Sequence, residues 1–218
     1  MAKRFQFRKD LITPNQPFAY QLREREENEI SMLDGAVFYG EDSVVIKHAK
    51  EDFYDYLNVC FGVKENGKNP VTIKIEITQA GLEDVCDYKG RIVEIADGQI
   101  EIRAYDERGV AQAIYDLEDT MTAKKQPYLT KGKTKNKPVF SPRMVHSAYD
   151  MDVYPRGYLQ RLAKEGIDAI ILFVRGVNEV STGYCDINAV IDLAEEYGID
   201  TYAYSWASVF YSPEAEDA

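Results

Sequence analysis

The sequence predicts an α+β unit followed by a parallel α/β unit, and three observations carry that reading. Residues 71–78 (VTIKIEIT) alternate strictly, with Val71, Ile73, Ile75 and Ile77 on one side, the period of a strand with one buried face. Asp97-Gly98 stands between two alternating runs, 88–95 and 99–104, a strong short-range hairpin signal. Farther on, two helix-like runs end alike, as KEGIDA at 164–169 and EYGIDT at 196–201, and each leads into an apolar strand. Repeated helix–strand units built on continuous apolar strands belong to parallel sheets.

The elements follow in order. Residues 1–18 are mixed and carry Pro14 and Pro17, which suits an edge strand or a packed arm. Residues 20–29 are heavily charged and read as a short solvated helix or an irregular surface segment. Residues 36–39 and 44–48 flank the turn-like GEDS and are expected to pair as a hairpin. In 51–61, Phe53, Tyr56, Leu57 and Cys60 are spaced three and four apart, which makes one apolar helical face. Residues 107–121 form a second helix, with Val110, Ala113, Ile114, Leu117 and Met121 as its buried stripe. The expected layer is a mixed or antiparallel sheet with helices on one face. Residues 122–138, rich in Lys, read as a solvated linker, and the boundary falls near 135: one unit over 1–135, another over 136–218. In the second unit, 143–149, 167–174 and 199–206 are expected strands, and 155–165 and 187–197 expected helices.

Composition narrows the function. A chain of 218 residues suffices for one large or two modest domains. A net charge of -11 argues against nucleic acid, because no field draws phosphates in. No window approaches the length of a membrane span, and the start lacks the apolar core of a signal peptide. As written, the chain reads as a cytoplasmic product, or as a secreted or periplasmic one if a signal has been removed. Cys60, Cys86 and Cys185 form no C-x-x-C pair and are expected as buried free thiols. His48 and His146 stand far apart, with no H-E-x-x-H or cysteine cluster, so neither metal nor cofactor is indicated. G-x-S-x-G and the phosphate-binding glycine motifs do not occur.

Three features in order carry a family resemblance: the hairpin-then-helix segment VEIADGQIEIRAYDERGVAQAIYDLEDTM, the proline-containing entry KPVFSPRM, and the repeat that includes YLQRLAKEGIDAIILFV. Together they resemble the small α+β domain and following (β/α)8 barrel of hexosaminidases and related glycoside hydrolases, including alpha-glucuronidases. The pattern Ile100, Ile102, Ala104, Asp106, Gly109, Ala113, Leu117 is similar to one found in that small domain, and Pro142-Arg143 resembles the entry to the first barrel strand. The resemblance spans residues 70–206 and implies a hexosaminidase-like α+β domain followed by the first three βα units of an incomplete TIM barrel. One departure stands out. The family's first strand ends in Asp-x-x-Arg, whereas here RMVHSAYDMD matches only the leading Arg.

Barrel sites form at the carboxyl ends of the strands. The residues that would contact a sugar are therefore Arg143, which the resemblance implies, with Tyr149 and Asp150 after the first strand, Arg175, Asn178 and Glu179 after the second, and Trp206 after the third. Arg and Asn offer fixed donors to hydroxyls, carboxylates accept from them, and aromatic rings stack on sugar faces. Each also has a structural reading. Asp150 and Asp152 suit the start of the helix at Pro155, Arg175 and Glu179 suit a loop ion pair, Asn178 a turn and Trp206 core packing, while His146, facing either the helices or the barrel interior, suits a structural role. In the family the catalytic carboxylates follow the fourth strand, which this sequence does not reach, so no catalytic residue is assigned.

A barrel takes roughly 250 residues, and three parallel strands leave an edge open to further pairing. The expected function is thus part of a glycoside hydrolase acting on hexosamine- or uronic-acid-containing glycans, with a tendency to self-associate through the unfinished sheet. The alternatives are a non-catalytic carbohydrate-binding or accessory module, or a soluble α/β interaction protein.

Overall fold

The computed structural model describes residues 12–146, 154–176, 179–180 and 183–205. The first unit contains β1 (Glu29–Ser31), β2 (Ala36–Gly40), α1 (Val44–Phe61), β3 (Val71–Ile77), a 3-10 turn (Glu83–Val85), β4 (Arg91–Ala96), β5 (Gln99–Ala104), α2 (Glu107–Lys124), β6 (Tyr128–Thr130) and β7 (Gly132–Asn136). Its main sheet has the order β2-β3-β5-β4-β7. Strands β2, β3 and β5 run parallel, while β4 is antiparallel to both β5 and β7. A separate antiparallel pair joins β1 to β6.

The alternation of β3 puts Val71, Ile73 and Ile75 on one face, joined there by Ile100, Ile102 and Val93. Helices α1 and α2 cover that face with Ile46, Phe53 and Leu57 from one and Val110, Ile114 and Met121 from the other. The opposite face carries Lys74, Glu76, Glu101 and Arg103 and faces solvent, except where Leu82, Val85 and Ile92 form a small second cluster. The expected mixed sheet with helices on one face is therefore present.

The motif from Ile100 to Leu117 has a physical reason at each position. Ile100, Ile102 and Ala104 are fully buried strand residues. Asp106 caps α2, accepting from Gly109 N at 2.6 Å. A Cβ on Gly109 would lie 3.1 Å from the Gly90 carbonyl, so the glycine lets the helix approach the sheet closely. Ala113 and Leu117 continue the buried stripe.

Three expectations are corrected. Residues 44–48 are not a strand: they open α1, and Ser43 caps it by accepting from Ile46 N at 3.2 Å. The β-branched run Val44-Val45-Ile46 suggested a hairpin, but burial of Val45, Ile46, Ala49 and Phe53 on one helical face overrides that propensity. Residues 122–138 are not a plain linker. They hold the end of α2, the buried Tyr128 and Leu129, and the edge strand β7, along which Lys131, Lys133 and Lys135 pair with Asp97, Glu94 and Glu83. Lysines on an edge strand discourage further pairing. Finally, Cys86 is exposed, whereas Cys60 and Cys185 are buried and form no disulfide, as expected.

The second unit contains β8 (Met144–His146), α3 (Arg156–Lys164), β9 (Ala169–Gly176), a short hairpin of β10 (Glu179–Val180) and β11 (Gly183–Tyr184), α4 (Ile187–Glu195) and β12 (Asp200–Tyr204). Strands β8 and β12 lie on either side of β9, both parallel to it. Asp186 caps α4 through Ala189 N at 3.1 Å. Gly166 and Gly198 follow the two helices at φ 75° and 66°, the left-handed turn that stops a helix. Ile167 and Ile199 then turn into the core. Leu159, Leu162, Ile170, Leu172 and Ala194 join the core of the first unit, so α1 and α2 are packed between two sheets. Among the described residues, no helix is long and apolar enough to cross a membrane.

Candidate functional site

Consecutive strands that sit side by side, each joined by a helix, place both helices on the same face if both crossovers have the usual right hand. The burial pattern agrees. Ile170 and Leu172 of β9 point into the core with α3, while Ile171 and Phe173 point the other way. On that second face His146 meets Phe173 edge-on, with ring centres 5.1 Å apart, and Phe173 meets Tyr204 at 4.8 Å. Register explains the row, because Tyr204 pairs with Phe173, and His146 pairs with Ile171, two residues earlier. Tyr202 and Tyr204 are 47% and 48% exposed, so this aromatic face is open to solvent. His146, expected to face either the helices or the barrel interior, lies on this open face.

The aromatic row leads to the carboxyl ends of β8, β9 and β12, where sugar-contacting residues were expected. Arg175 and Glu179, expected in a loop after the second strand, lie within strands instead: Arg175 is the penultimate residue of β9 and Glu179 opens β10 opposite Gly176, so the backbone brings these two to one strand end. Tyr149, Asp150, Asn178 and Trp206 lie outside the described residues.

Arg143 is placed elsewhere. It precedes β8 at the amino end, where its N–H donates to Asp168 Oδ2 at 2.6 Å and its guanidinium donates to the Glu165 carbonyl at 3.0 Å. There it borders a cleft of about 450 Å³ between the units, lined also by Lys89, Arg91, Gln112, Asp116 and Phe140. The basic groups of this cleft are largely engaged: Arg91 grips Asp116 at 2.6 Å and Lys89 pairs with Asp168. The cleft is a junction of the fold, on the side away from the strand ends.

That junction holds residues that the sequence reading did not single out. Asp168 is buried and accepts from Lys89 Nζ, from Tyr88 Oη at 3.2 Å, from Ser141 Oγ at 3.3 Å and from the Arg143 N–H. Burial works to raise its carboxyl, but these donors, led by the Arg143 N–H and Lys89, hold it below the usual range. Asp200 takes the guanidinium of Arg108 at 2.6 and 3.2 Å, and Arg108 also donates to Tyr88 Oη at 3.0 Å. Burial pushes the Tyr88 phenol up to about 12. The signal was present in the repeat. Asp168 and Asp200 hold the same place in KEGIDA and EYGIDT, and each binds a basic side chain of the first unit.

Comparison with protein-family models and with curated proteins finds no match. Solved structures do match. A GH20 β-N-acetylhexosaminidase from Streptomyces coelicolor superposes with a TM-score of 0.57 at 13% identity, over 80% of this chain and 42% of its own. A GH20 exo-β-N-acetylglucosaminidase from Vibrio harveyi, in complex with N-acetylglucosamine, gives 0.53 at 12% identity, over 83% of this chain and 34% of its own. A GH138 enzyme that targets pectin rhamnogalacturonan II gives 0.58 at 11%, over 78% of this chain and 24% of its own. The chain therefore has a glycoside hydrolase fold, and it spans about a third of the length of the first structures it matches.

Proposed function

We propose that this chain is part of a glycoside hydrolase: a hexosaminidase-like α+β domain over residues 1–135, then the opening three βα units of a (β/α)8 barrel over 136–218. The observation that carries the reading is the side-by-side parallel order β8-β9-β12 with its helices on one face, set behind the α+β unit. A doubly wound sheet reverses its strand order and covers both faces. Here the uncovered face bears His146, Phe173, Tyr202 and Tyr204, as the inner wall of a barrel would before the remaining strands close it.

In this reading the substrate is a glycan containing hexosamine or uronic acid. Tyr149, Asp150, Arg175, Asn178, Glu179 and Trp206 lie at or just after the strand ends and hold sugar hydroxyls and ring faces. Arg143 acts from the amino end, fixing the entry to β8 through Glu165 and Asp168. The catalytic carboxylates belong to later strands, and the outer edge of β12, which has no strand partner among the described residues, is where the next strand pairs. In the absence of that strand, the edge and the aromatic face favour self-association.

The test is turnover of chromogenic N-acetylhexosaminides and glucuronides by residues 1–218. The expected result is no hydrolysis above background. Robust turnover would place a complete acid–base pair within these residues and overturn the assignment.

A further inference from the structure

The ammonium of Lys164 is half-buried where α1, α2 and α3 meet. Its Nζ lies 3.2 Å from Asp52 Oδ2 on α1, pairs with Glu118 Oε2 on α2, and donates to Asn15 Oδ1 at 2.5 Å. Asp52 and Glu118 are each 1% exposed. One cation thus faces two carboxylates, and full ionisation leaves a net negative charge in a site shielded from water.

The two acids are not equally supported. Asp52 Oδ1 accepts from Asn15 Nδ2 at 2.8 Å and from Gln160 Nε2 at 2.6 Å. Glu118 has Lys164 on Oε2 and no hydrogen-bond partner on Oε1. The surrounding groups do not repair the imbalance. From α1 come Asp55, whose carboxylate takes an N–H of Asn15 at 2.8 Å, and the Cys60 thiol. From α2 come Asp119 and the buried Tyr115 phenol. The Tyr56 hydroxyl is held by the Glu118 carbonyl and Thr122, and the Tyr197 hydroxyl accepts from Arg156. On α3, Arg161 is turned to Glu165 at 2.8 Å. A buried site with two acids and one base resolves its excess charge by keeping a proton.

We propose that Glu118, Asp52 and Lys164 form a proton-holding latch that fastens α3 to the α1–α2 layer, closed while the two carboxylates share one proton and loosened when both ionise. Burial, assisted by the Asp52 charge and opposed by Lys164, pushes the Glu118 carboxyl up to about 8. Burial raises Asp52 as well, against the pull of Lys164. The folded chain therefore keeps a proton that the unfolded chain releases near pH ~4.3. The contribution is fully present below that value, declines as pH rises, and is spent once Glu118 has titrated in the fold. The consequence centres on α3, whose Leu159, Leu162 and Ala163 seat the parallel sheet on the first unit.

The experiment is urea unfolding of the 218-residue chain from pH 5 to 9, compared with Glu118→Gln, whose amide mimics the protonated acid. Relative to the variant, the unfolding constant of the native sequence is expected to climb by as much as about tenfold per pH unit up to the Glu118 transition, then run parallel to it. Equal pH dependence in the two proteins would overturn the latch. Should Glu118→Gln not fold, Asp52→Asn serves. Without the neighbouring charge Glu118 ionises at lower pH, so the steep span moves down, and an unmoved span overturns the proposal. Hydrogen exchange, corrected for its intrinsic pH dependence, gives the location. Amides of α3 should lose protection before those of β3 and β5, and uniform loss would leave a simple stability effect and no latch.

Discussion

Asp168 ties the two units together through one buried carboxylate that accepts from Lys89, Tyr88, Ser141 and the Arg143 N–H. Its place after Gly166-Ile167 is local and repeats at Asp200, so the position was legible. Its partner was not, because Lys89 lies 79 residues earlier and only the packing of two units brings it near. The same holds for Glu118 and Lys164, which read as ordinary polar positions on two separate helices until α2 and α3 pack together. Burial with four donors makes Asp168 costly to lose. Asp168→Ala leaves Lys89 buried without its counter-charge and is expected to lower the free energy of unfolding by about 3 kcal/mol, measured in urea at neutral pH. Because its folded carboxyl is held low, this contribution is present above the ordinary Asp value and fades as acid titrates it, so variant and native stabilities should converge at low pH. An undiminished gap in acid would mean that packing around the side chain, rather than its charge, is what the variant loses.

At the scale of elements, period and caps decided what was readable. Strand β3 was plain because alternation is its whole signal, and the β4–β5 hairpin because Asp97-Gly98 fixes the turn. Helix α1 was read too short: its first turns are β-branched, and the signal that counted was Ser43 followed by apolar residues at helical spacing. Strand β7 was hidden because its lysines resemble a linker, and only their acidic neighbours on β4 and the 3-10 turn make them an edge. Strand β12 contrasts with it. Its outer edge lacks a strand among the described residues, and Tyr202 and Tyr204 stand half-exposed beside it. Such an edge is a template for pairing. Sedimentation of residues 1–218 is expected to show association that grows with concentration, whereas a clean monomer across the range would speak against an unfinished sheet.

At the scale of the whole molecule, two sheets share one helical layer. Helices α1 and α2 cover the mixed sheet on one side and receive α3 on the other, through one continuous apolar core. This leaves the carboxyl ends of the parallel strands facing away from the first unit, with an aromatic row leading to them. The order of elements was legible because each βα unit is locally encoded. The candidate site was legible only as positions near strand ends, since its geometry is set by how neighbouring strands pack.

The central claim is that the carboxyl ends of β8, β9 and β12 meet a sugar. The direct measurement is an amide NMR titration of this chain with N-acetylglucosamine and, separately, glucuronic acid. The account predicts shifts confined to residues following those strand ends, around Tyr149, Asp150, Arg175, Asn178, Glu179 and Trp206. No shifts with either sugar, or shifts centred on the cleft around Arg143, would contradict it.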